Sequence, residues 1–378
     1  MLPHSAPSSN KRALFLSPED PTPGWGGGGL RSASLLEYLR QHYDVQVLRF
    51  DLRPHSKNLS ARIQRNAVRV LQGVPPLFDR FTGYEEQLAQ KLSGMRFDLA
   101  VVEHFWCASY APLLRKHASR LVLDLHNIES ELARSHARAV RWPLSWASQR
   151  FAEAYRKLEQ QWIPCFDTIL VASEDDRSRV RHGDVHIFPN ALPVLAAPLP
   201  VLAAPLMEEE PCILFSGNLE YHPNLEAIRW FHREIWPLVR ERCPDLQWRV
   251  IGRNAHAVEK VLAGDARIQL VGPVDDAVAE IARARVCIVP LLSGSGTRFK
   301  ILEAWAAGRA VVSTRLGAEG LGARNGEHLL LAEDGASFCE AIARLNRDAG
   351  LRGKLGSAGR ALFLDKFTWP VAWKSLPF

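Results

Sequence analysis

The segment VCIVPLLSGSGTRFKILEAWAAG, residues 286–308, joins an apolar run to an amphipathic segment through two glycines. The apolar run predicts a buried strand, and the following segment predicts a helix that begins near Arg298. Thr297 suits the N-cap of this helix, and Gly294 and Gly296 allow main-chain amides to approach a ligand closely. Because the amides and the positive end of the helix dipole face the same point, the turn is predicted to bind an anion.

Three charged side chains follow this turn. A charge-assisted hydrogen bond from Arg298 or Lys300 contributes about 1.5–3 kcal/mol, against about 0.3–1 kcal/mol from the helix dipole. Glu303 would repel an anion unless it holds another part of the ligand, and a carboxylate can accept two hydrogen bonds from a vicinal diol of a sugar. The alternative is that Glu303 pairs with neighbouring cations on an exposed helix.

The rest of the chain predicts two α/β domains. Short apolar strands alternate with helices, such as one at 224–240, on both sides of a tandem repeat of LPVLAAP. Such strands indicate parallel sheets covered on both faces, and the prolines of the repeat indicate a linker. The predicted fold is α/β, with two doubly wound Rossmann-like domains facing a cleft and ligands at the carboxyl ends of the strands. The predicted parts are an N-terminal acceptor-side domain (1–191), a linker (192–210), a C-terminal nucleotide-sugar domain (211–365) and a tail (366–378).

The composition indicates a globular protein. Its 378 residues suit two domains, and its 47% hydrophobic and 23% charged residues exclude disordered and fibrous classes. The net charge of +6 favours anionic partners. Six cysteines without a C-x-x-C pair indicate reduced thiols, and the N-terminus lacks the pattern of a signal peptide, so we expect a cytoplasmic protein.

Several motifs resemble those of one enzyme family. The stretch from the glycine turn to AAGRAVVSTRLGAEGL is similar to the retaining glycosyltransferases of family 4, which have the GT-B fold and use nucleotide-sugar donors. The resemblance is dense from about 211 to 369 and thinner before it. The resemblance also rests on the motifs FSGNLEYHPNLEAIRWF (215–231), VIGRN (250–254), LVGPVDD (270–276), FTW (367–369), DLHNIESELAR (124–134) and FPNAL (188–192).

This resemblance implies roles for individual residues. The glycine turn would hold the donor diphosphate, and Glu303 would hold the ribose. The first glutamate of the family motif is replaced here by Ser295, and the Arg and Lys that the family often has after the strand ILFSG are missing. We therefore expect Arg298 and Lys300 to supply the positive charge. The predicted donor-binding residues of this domain are Gly217, Gly294, Ser295, Gly296 and Thr297.

A second glycine-rich segment follows the first strand. Gly24, Gly26 and Gly29 have the spacing G-x-G-x-x-G, and Asp51 lies 22 residues further on, as in an NAD-binding fold. Six residues separate Ser17 at the end of the strand from the first glycine, however, whereas a dinucleotide fingerprint begins at the strand's end. The family resemblance implies instead a loop that closes over the donor phosphate. Its residues would be Gly26, Gly27, Gly28 and Gly29.

His126 follows the apolar run LVLDL, at the predicted carboxyl edge of the first sheet. A histidine there can orient a sugar hydroxyl or stabilise developing charge. The alternative is a structural histidine satisfied by Asp124 or Glu129. In the family, the matching histidine approaches the donor sugar. Glu103 and His104 at the end of the preceding strand are weaker candidates. No histidine spacing or D-x-D motif indicates a metal site, so we expect neither metal nor cofactor.

Two helical segments carry recurring arginines. They are either ordinary solvated faces or surfaces that dock on an anionic membrane holding a lipid-linked acceptor. Nucleic acid is not expected, because the basic residues are not interleaved with aromatic ones. The arginines are Arg62, Arg65 and Arg69 in one segment and Arg134, Arg138 and Arg141, followed by Trp142 and Trp146, in the other.

The sequence thus predicts a metal-independent glycosyltransferase. We expect it to move a sugar from a nucleotide diphosphate to a hydroxyl acceptor, either a glycan or a lipid-linked molecule, with retention of configuration. Alternatives are a GT-B nucleotide-sugar epimerase, an NAD-dependent oxidoreductase and a sugar-nucleotide-binding protein without turnover. The residues expected to act on the substrates are His126, Arg298, Lys300 and Glu303.

Overall fold

The computed structural model describes residues 11–18, 20–21, 27–52, 58–193, 209–294 and 299–378. The chain divides into two units, the first formed by Met1–Phe188 with Ser375–Phe378 and the second by Pro189–Lys374. Most of the predicted linker, residues 194–208, lies outside the described residues. Among the described residues, no helix has both the length and the apolar composition needed to cross a bilayer.

The first unit is built on a six-stranded parallel sheet with the order β2-β1-β3-β4-β5-β6. Its central strands are buried on both faces, because they are composed almost entirely of apolar residues. The strand order reverses between β1 and β3, and ligands of doubly wound sheets bind at such a switch point. The strands are β1 (Arg12–Ser17), β2 (Asp44–Arg49), β3 (Phe97–Glu103), β4 (Ala118–Asp124), β5 (Thr168–Val171) and β6 (Val185–Ile187).

Eight α-helices accompany this sheet in the described residues. Helix α1 buries Leu35, Leu36 and Leu39. Burying one such side chain fully contributes about 1.5–3 kcal/mol, so this face fixes the helix against the sheet. The helices are α1 (Gly27–His42), α2 (Leu59–Gln72), α3 (Pro76–Arg80), α4 (Glu85–Leu92), α5 (Ala111–Leu114), α6 (Glu129–Ala139), α7 (Leu144–Trp162) and α8 (Glu174–Arg179).

The second unit has its own six-stranded parallel sheet, with the order β12-β11-β10-β7-β8-β9. Counted from its first strand, this is the doubly wound order 3-2-1-4-5-6 read from the other edge, and the switch point lies between β7 and β10. The strands are β7 (Glu210–Ser216), β8 (Gln247–Ile251), β9 (Ile268–Gly272), β10 (Ala284–Val289), β11 (Val311–Ser313) and β12 (Leu330–Leu331).

The helices of the second unit pack on buried aromatic residues. The ring centroids of Phe231 and Trp248 are 4.7 Å apart, and those of Trp236 and Trp248 are 5.7 Å apart. A π-helical turn, Phe231–Ile235, joins α9 to α10 within the stretch that the sequence predicts as one helix. The helices are α9 (His222–Trp230), α10 (Trp236–Arg242), α11 (His256–Leu262), α12 (Ala277–Arg283), α13 (Phe299–Ala306), α14 (Gly335–Arg347), α15 (Ala349–Lys366) and α16 (Trp369–Trp373).

Candidate functional site

Two groups of polar residues, one in each unit, lie at the carboxyl ends of strands. In the second unit, the group begins where β10 ends at the switch point. Ser293 is buried and donates a hydrogen bond from its Oγ to Glu226 Oε2 at 2.6 Å. Gly294 follows with a φ of 116°, a conformation that favours glycine. Ser295, Gly296, Thr297 and Arg298 lie outside the described residues, and α13 is described from Phe299.

Lys300 and Glu303, on the first turns of α13, both contact Ser216 at the end of β7. Lys300 Nζ donates to the Ser216 main-chain oxygen at 2.7 Å and lies 4.8 Å from the centroid of the Phe215 ring. The Ser216 hydroxyl donates to Glu303 Oε2 at 3.3 Å. An ammonium group and a carboxyl group are thus held side by side at the switch point of the sheet.

The contacts of Glu303 differ from those of a glutamate on a solvated helix. Burial raises the pKa of its carboxyl, and the neighbouring Lys300 ammonium opposes this change. Arg309, a nearby cation in the sequence, is buried and donates a hydrogen bond to Glu209 Oε1 at 2.5 Å instead. Glu303 is half-buried, and a carboxyl group that accepts a hydrogen bond from Ser216 retains acceptor capacity for a ligand hydroxyl.

Gly217 lies directly beside the Lys300 ammonium. Its φ is 149°, and an added Cβ would come within 2.5 Å of Lys300 Nζ and 2.9 Å of Asn224 Nδ2. Gly252 lies against the main chain of Gly217, because a Cβ added to Gly252 would fall 1.7 Å from the Gly217 oxygen. The two glycines therefore allow the ends of β7 and β8 to approach each other beneath the lysine.

In the first unit, the group lies at the carboxyl ends of β3 and β4. His126 follows β4 and is buried, and its Nε2 lies 3.1 Å from Glu103 Oε2 and 3.3 Å from Asp124 Oδ2. Its Nδ1 faces the start of α1, since an added Cβ on Gly28 would lie 3.6 Å from that atom. Gly27, Gly28 and Gly29 form the first turn of α1, and Gly26 lies outside the described residues.

Helix α1 contributes two side chains that bind the carboxylates around His126. Arg31 donates from Nε to Asp124 Oδ2 at 2.8 Å and from its terminal nitrogen to Asp124 Oδ1 at 2.5 Å. The Ser32 hydroxyl donates to Glu103 Oε2. Arg31 and Asp124 are buried, so this is a desolvated, bidentate ion pair.

The charges of this cluster shift one another's pKa values. Burial alone would raise the pKa of Asp124, but Arg31 and His126 together hold it below its usual range. Burial would lower the pKa of His126, but Glu103 and Asp124 raise it to about 9. The histidine is therefore positively charged at neutral pH.

Glu103, His104 and His126 also have a spacing that a metal ion could bridge, since their ligand atoms lie within 4.8 Å of one another. Glu103 Oε1 and His104 Nδ1 are buried without hydrogen-bond partners in the described part of the chain. The rings of His104 and His126 are in contact, however, with centroids 3.7 Å apart and planes tilted by 32°, and Nε2 of His126 lies between two carboxylates. These contacts describe a protonated imidazole, and metal independence stays a prediction.

Glu129, the other candidate partner of His126, instead accepts a hydrogen bond from Trp106 Nε1 at 3.0 Å. Burial and the nearby Glu159 raise the pKa of Glu129 to about 8. Glu159 is held by the main-chain nitrogen of Ser130 at 3.0 Å. This pair of acids could not be predicted from the sequence, because its members are 30 residues apart.

Arg31 and Ser32 were not predicted as site residues either. A signal was present, because Arg31 lies four residues before Leu35 and thus on the buried face of α1. A charged residue on an otherwise apolar helix face indicates a buried partner.

The prediction of an exposed basic face on α2 is wrong for Arg69. This side chain is buried, and its Nε donates to Asp79 Oδ2 at 2.8 Å. The exposed residues of α2 include apolar ones instead, namely Ile63 and Leu71. The side chain of Arg62 lies outside the part of the chain that the structure describes.

Comparison with protein families matches both units. Residues 26–191 match the model described as Glycosyl transferase 4-like domain, and residues 210–348 match the model described as Glycosyl transferases group 1. The chain belongs to the group 1 glycosyltransferase family.

Two curated proteins are similar to parts of this glycosyltransferase. An uncharacterized 44.6 kDa protein in the cps region of Klebsiella pneumoniae is 28% identical over 191 residues, 48% of each chain. The phosphatidyl-myo-inositol mannosyltransferase of Mycobacterium leprae (strain TN) is 33% identical over 141 residues, 36% of this chain and 37% of that protein. The matched region thus spans half or less of these curated relatives.

Solved structures resemble the glycosyltransferase over almost its whole length. Sucrose-phosphate synthase from Thermosynechococcus elongatus has a TM-score of 0.71 at 18% identity, with 97% of each chain covered. Anabaena Alr3699/HepE in complex with UDP and glucose has a TM-score of 0.59 at 14% identity, covering 97% of this chain and 98% of that chain. The predicted GT-B fold is confirmed.

Proposed function

We propose that the protein transfers a sugar from a nucleoside-diphosphate donor to a hydroxyl acceptor. The observation that carries the proposal is the convergence of Lys300 and Glu303 on Ser216 at the switch point of the second sheet. A cation next to a carboxyl group matches a ligand that has a diphosphate next to a diol, and the membership of both units in glycosyltransferase families supports it.

In this proposal, Lys300 binds the diphosphate and Glu303 accepts hydrogen bonds from the ribose hydroxyls. The ammonium lies beside Gly217, directly after β7, where the absence of a Cβ leaves room for Nζ. The turn 294–298 adds main-chain amides and Arg298. Lys300 and Arg298 provide the charge that neutralises the departing diphosphate, so the proposed reaction uses no metal.

For the first unit, the proposal concerns His126 and the glycines at the start of α1. The imidazole stabilises an oxygen of the transferred sugar, and the first turn of α1 provides main-chain donors for an anion. The proposed transfer retains the anomeric configuration, with the acceptor attacking on the face from which the diphosphate leaves. Proton NMR of the first-formed product reports the configuration directly.

Binding of the donor tests the proposal before any acceptor is known. UDP, GDP and ADP and their glucose or mannose conjugates would be screened by thermal shift, with UDP-glucose first because a UDP complex is available for a protein of the same fold. We expect one base to raise the Tm of the wild type. Lys300→Met and Glu303→Gln should abolish the increase, while the exposed-site variants Lys354→Met and Glu241→Gln should retain it. A Tm increase with NAD and none with any nucleoside diphosphate would contradict the proposal.

For the acceptor, we propose a glycan or lipid-linked hydroxyl compound that is reached at an anionic membrane surface. An exposed apolar patch, here called the α2–α7 patch, consists of Ile63, Leu71, Trp142, Leu144 and Trp146, with Trp142 80% exposed and Leu71 70% exposed. Arg150, on α7, connects the two helices of the patch. Its Nε and one terminal nitrogen donate hydrogen bonds to main-chain oxygens of α2 at 2.9 and 3.0 Å, and its guanidinium carbon lies 5.6 Å from the centroid of the Trp146 ring.

Exposed tryptophans and aliphatic residues with nearby arginines suit a membrane interface. The protein would be sedimented with vesicles of phosphatidylcholine alone and with added phosphatidylglycerol. We expect binding to the anionic vesicles that falls at high salt and is lost in the double variant Trp142→Ser/Trp146→Ser. Equal sedimentation of the wild type and the double variant would contradict membrane docking by this patch while leaving sugar transfer unaffected.

A further inference from the structure

The two ring nitrogens of His126 have different surroundings. We propose that Glu103 and Asp124 hold His126 as a permanent imidazolium that acts through Nδ1 as a charged hydrogen-bond donor, with Arg31 and Ser32 fixing the two carboxylates. Glu103, Asp124 and Arg31 are then positioning residues, and His126 is not a general base. The inference deepens the proposed function and rests on it only for its kinetic readout.

The first step concerns Nε2. It lies 3.1 Å from a Glu103 oxygen and 3.3 Å from an Asp124 oxygen, and both carboxyl groups are fully buried. A lone pair on Nε2 would face two acceptors, so this nitrogen carries a proton in either charge state of the ring. The open question is therefore only whether Nδ1 is protonated as well.

The charge balance of the buried cluster answers it. Glu103 and Asp124 bring two negative charges, and Arg31 brings one positive charge. A buried charge without a partner is strongly destabilising. An imidazolium at His126 brings the total to zero. Burial raises the pKa of Glu103, while the charge and the hydrogen bond of His126 lower it. A neutral His126–Glu103 pair would have the same total charge, but Nε2 lies against an oxygen of each carboxyl group, which favours the ion pair.

Neighbouring groups on other elements leave this balance unchanged. His104, whose ring is tilted against that of His126, has a pKa well below its ordinary value because it is buried and lies beside that charged ring, so it is neutral. Glu129, at the start of α6, has its pKa raised to about 8 by burial and Glu159 and is protonated at neutral pH. Ser32 contributes a dipole rather than a charge.

The second ring nitrogen is turned towards the glycines of α1. An added Cβ on Gly28 would lie 3.6 Å from Nδ1, so the Nδ1–H bond and the first-turn amides of α1 are neighbouring groups. All of them are donors, and the ring adds a full charge to the positive end of the helix. Such a site stabilises an oxygen that gains negative charge, whereas a general base would need an unprotonated Nδ1.

Arg31 and Ser32 also connect the two carboxylates to helix α1. They lie on the helix whose first turn is Gly27–Gly29, and they bond directly to the carboxylates that hold His126. The glycine turn and the imidazolium are therefore fixed relative to each other by one set of buried hydrogen bonds.

The charge state of His126 is measured without any substrate. In protein labelled with ¹³C-histidine, the ring resonance assigned by its loss in His126→Gln should titrate with a pKa of about 9. Glu103→Gln removes one carboxylate and should make deprotonation at least tenfold easier, while Asp175→Asn, an exposed acid on α8, should leave the titration unchanged. A wild-type His126 that titrates at or below its ordinary value in the folded protein would overturn the inference.

The kinetic readout separates this inference from the proposed function. With a nucleotide sugar that the protein uses, kcat should fall as pH rises through about 9 in the wild type and at a lower pH in Glu103→Gln, with the donor KM changing less. If His126 titrates as expected but no nucleotide sugar is consumed, the network stands and the proposed function fails. If turnover occurs and kcat falls at the same alkaline pH in the wild type and in Glu103→Gln, then Glu103 does not position His126 and the inference is wrong. A tightly bound metal ion, one per chain and lost in Glu103→Gln, would also overturn it, because a metal would take the place of the Nε2 proton.

Discussion

Lys300 on α13 and Ser216 at the end of β7 are joined by a 2.7 Å hydrogen bond from Nζ to the main-chain oxygen. The bond places an ammonium group at the end of β7, where the following segment of this chain, GNLEYHPN, has neither Arg nor Lys. A side chain from a helix 84 residues further along the chain therefore supplies the cation.

Removing that ammonium should weaken donor binding without unfolding the unit. Lys300→Met keeps the aliphatic stem over the Phe215 ring but loses the charge. We expect the affinity for the preferred nucleoside diphosphate to fall about tenfold to a hundredfold, as for one charge-assisted hydrogen bond. Isothermal titration calorimetry measures it, with Lys354→Met as the exposed control. Equal affinity in the wild type and Lys300→Met would show that the lysine does not meet the phosphates.

Gly217→Ala should displace the same ammonium while leaving its charge in place. The new Cβ would stand 2.5 Å from Nζ, and the lysine tip must move, so we expect a loss of donor affinity that approaches that of Lys300→Met. Gly264→Ala is the matched control, because that glycine also has a positive φ, 92°, but an added Cβ there meets nothing within 4 Å. If the two alanine variants bind the nucleotide equally well, backbone strain rather than displacement of the lysine explains any loss.

Two glycines of helix α15 should respond in opposite ways to alanine. An added Cβ on Gly359 would come within 2.3 Å of the Trp305 ring, whereas Gly353 has open space. We expect Gly359→Ala to lower the free energy of unfolding by about 1–3 kcal/mol through overpacking. Gly353→Ala should raise it by about 0.5–1 kcal/mol, the usual gain in a helix interior. Urea denaturation measures both, and stabilisation by Gly359→Ala would mean that α15 does not pack on Trp305 as described.

Glu129 should make the first unit less stable as the pH rises. Its pKa is about 8 in the folded chain and lower in the unfolded chain, so between these values the unfolded chain holds fewer protons. Stability is then greatest below the unfolded pKa and decreases up to pH 8, by at most about 4 kcal/mol between pH 5 and pH 8.

Glu129→Gln keeps an oxygen for the Trp106 indole and removes the titrating group. We expect the Tm of this variant to change less between pH 5 and pH 8 than that of the wild type. Asp175→Asn, on the exposed face of α8, should leave the pH dependence intact. Parallel Tm curves for the wild type and Glu129→Gln would show that this carboxyl titrates normally.

The architecture could be predicted because it follows from local pattern. Apolar runs long enough for a strand but too short for a helix alternate with amphipathic segments, and such runs are buried on both faces only in a parallel sheet. The strand ends then locate His126 and Gly217 at the edge of a sheet without any knowledge of packing. Local irregularities within a helix could not be predicted from this pattern. The π-helical turn Phe231–Ile235, inside a predicted helix, is an example.

The hydrogen-bond partners of the site could not be predicted, since they come from distant parts of the chain. Arg31 reaches Asp124 across 93 residues. Helical spacing alone predicts that Arg69 lies on the same solvated face as Arg62 and Arg65, but Arg69 is buried and pairs with the exposed Asp79, ten residues later. The roles of Arg298 and of the turn Ser295–Gly296–Thr297 stay predictions, because these residues lie outside the described part of the chain.

The central claim is that Lys300 and Glu303 hold a nucleotide sugar for transfer. The most direct measurement is the release of nucleoside diphosphate from a panel of UDP-, GDP- and ADP-sugars, in the presence of a mixture of glycan and lipid-linked acceptors. The account predicts release from one nucleotide class by the wild type and by Lys354→Met, at least a tenfold lower rate with Lys300→Met, and a similar loss with Glu303→Gln. Release at the wild-type rate by both site variants would contradict it.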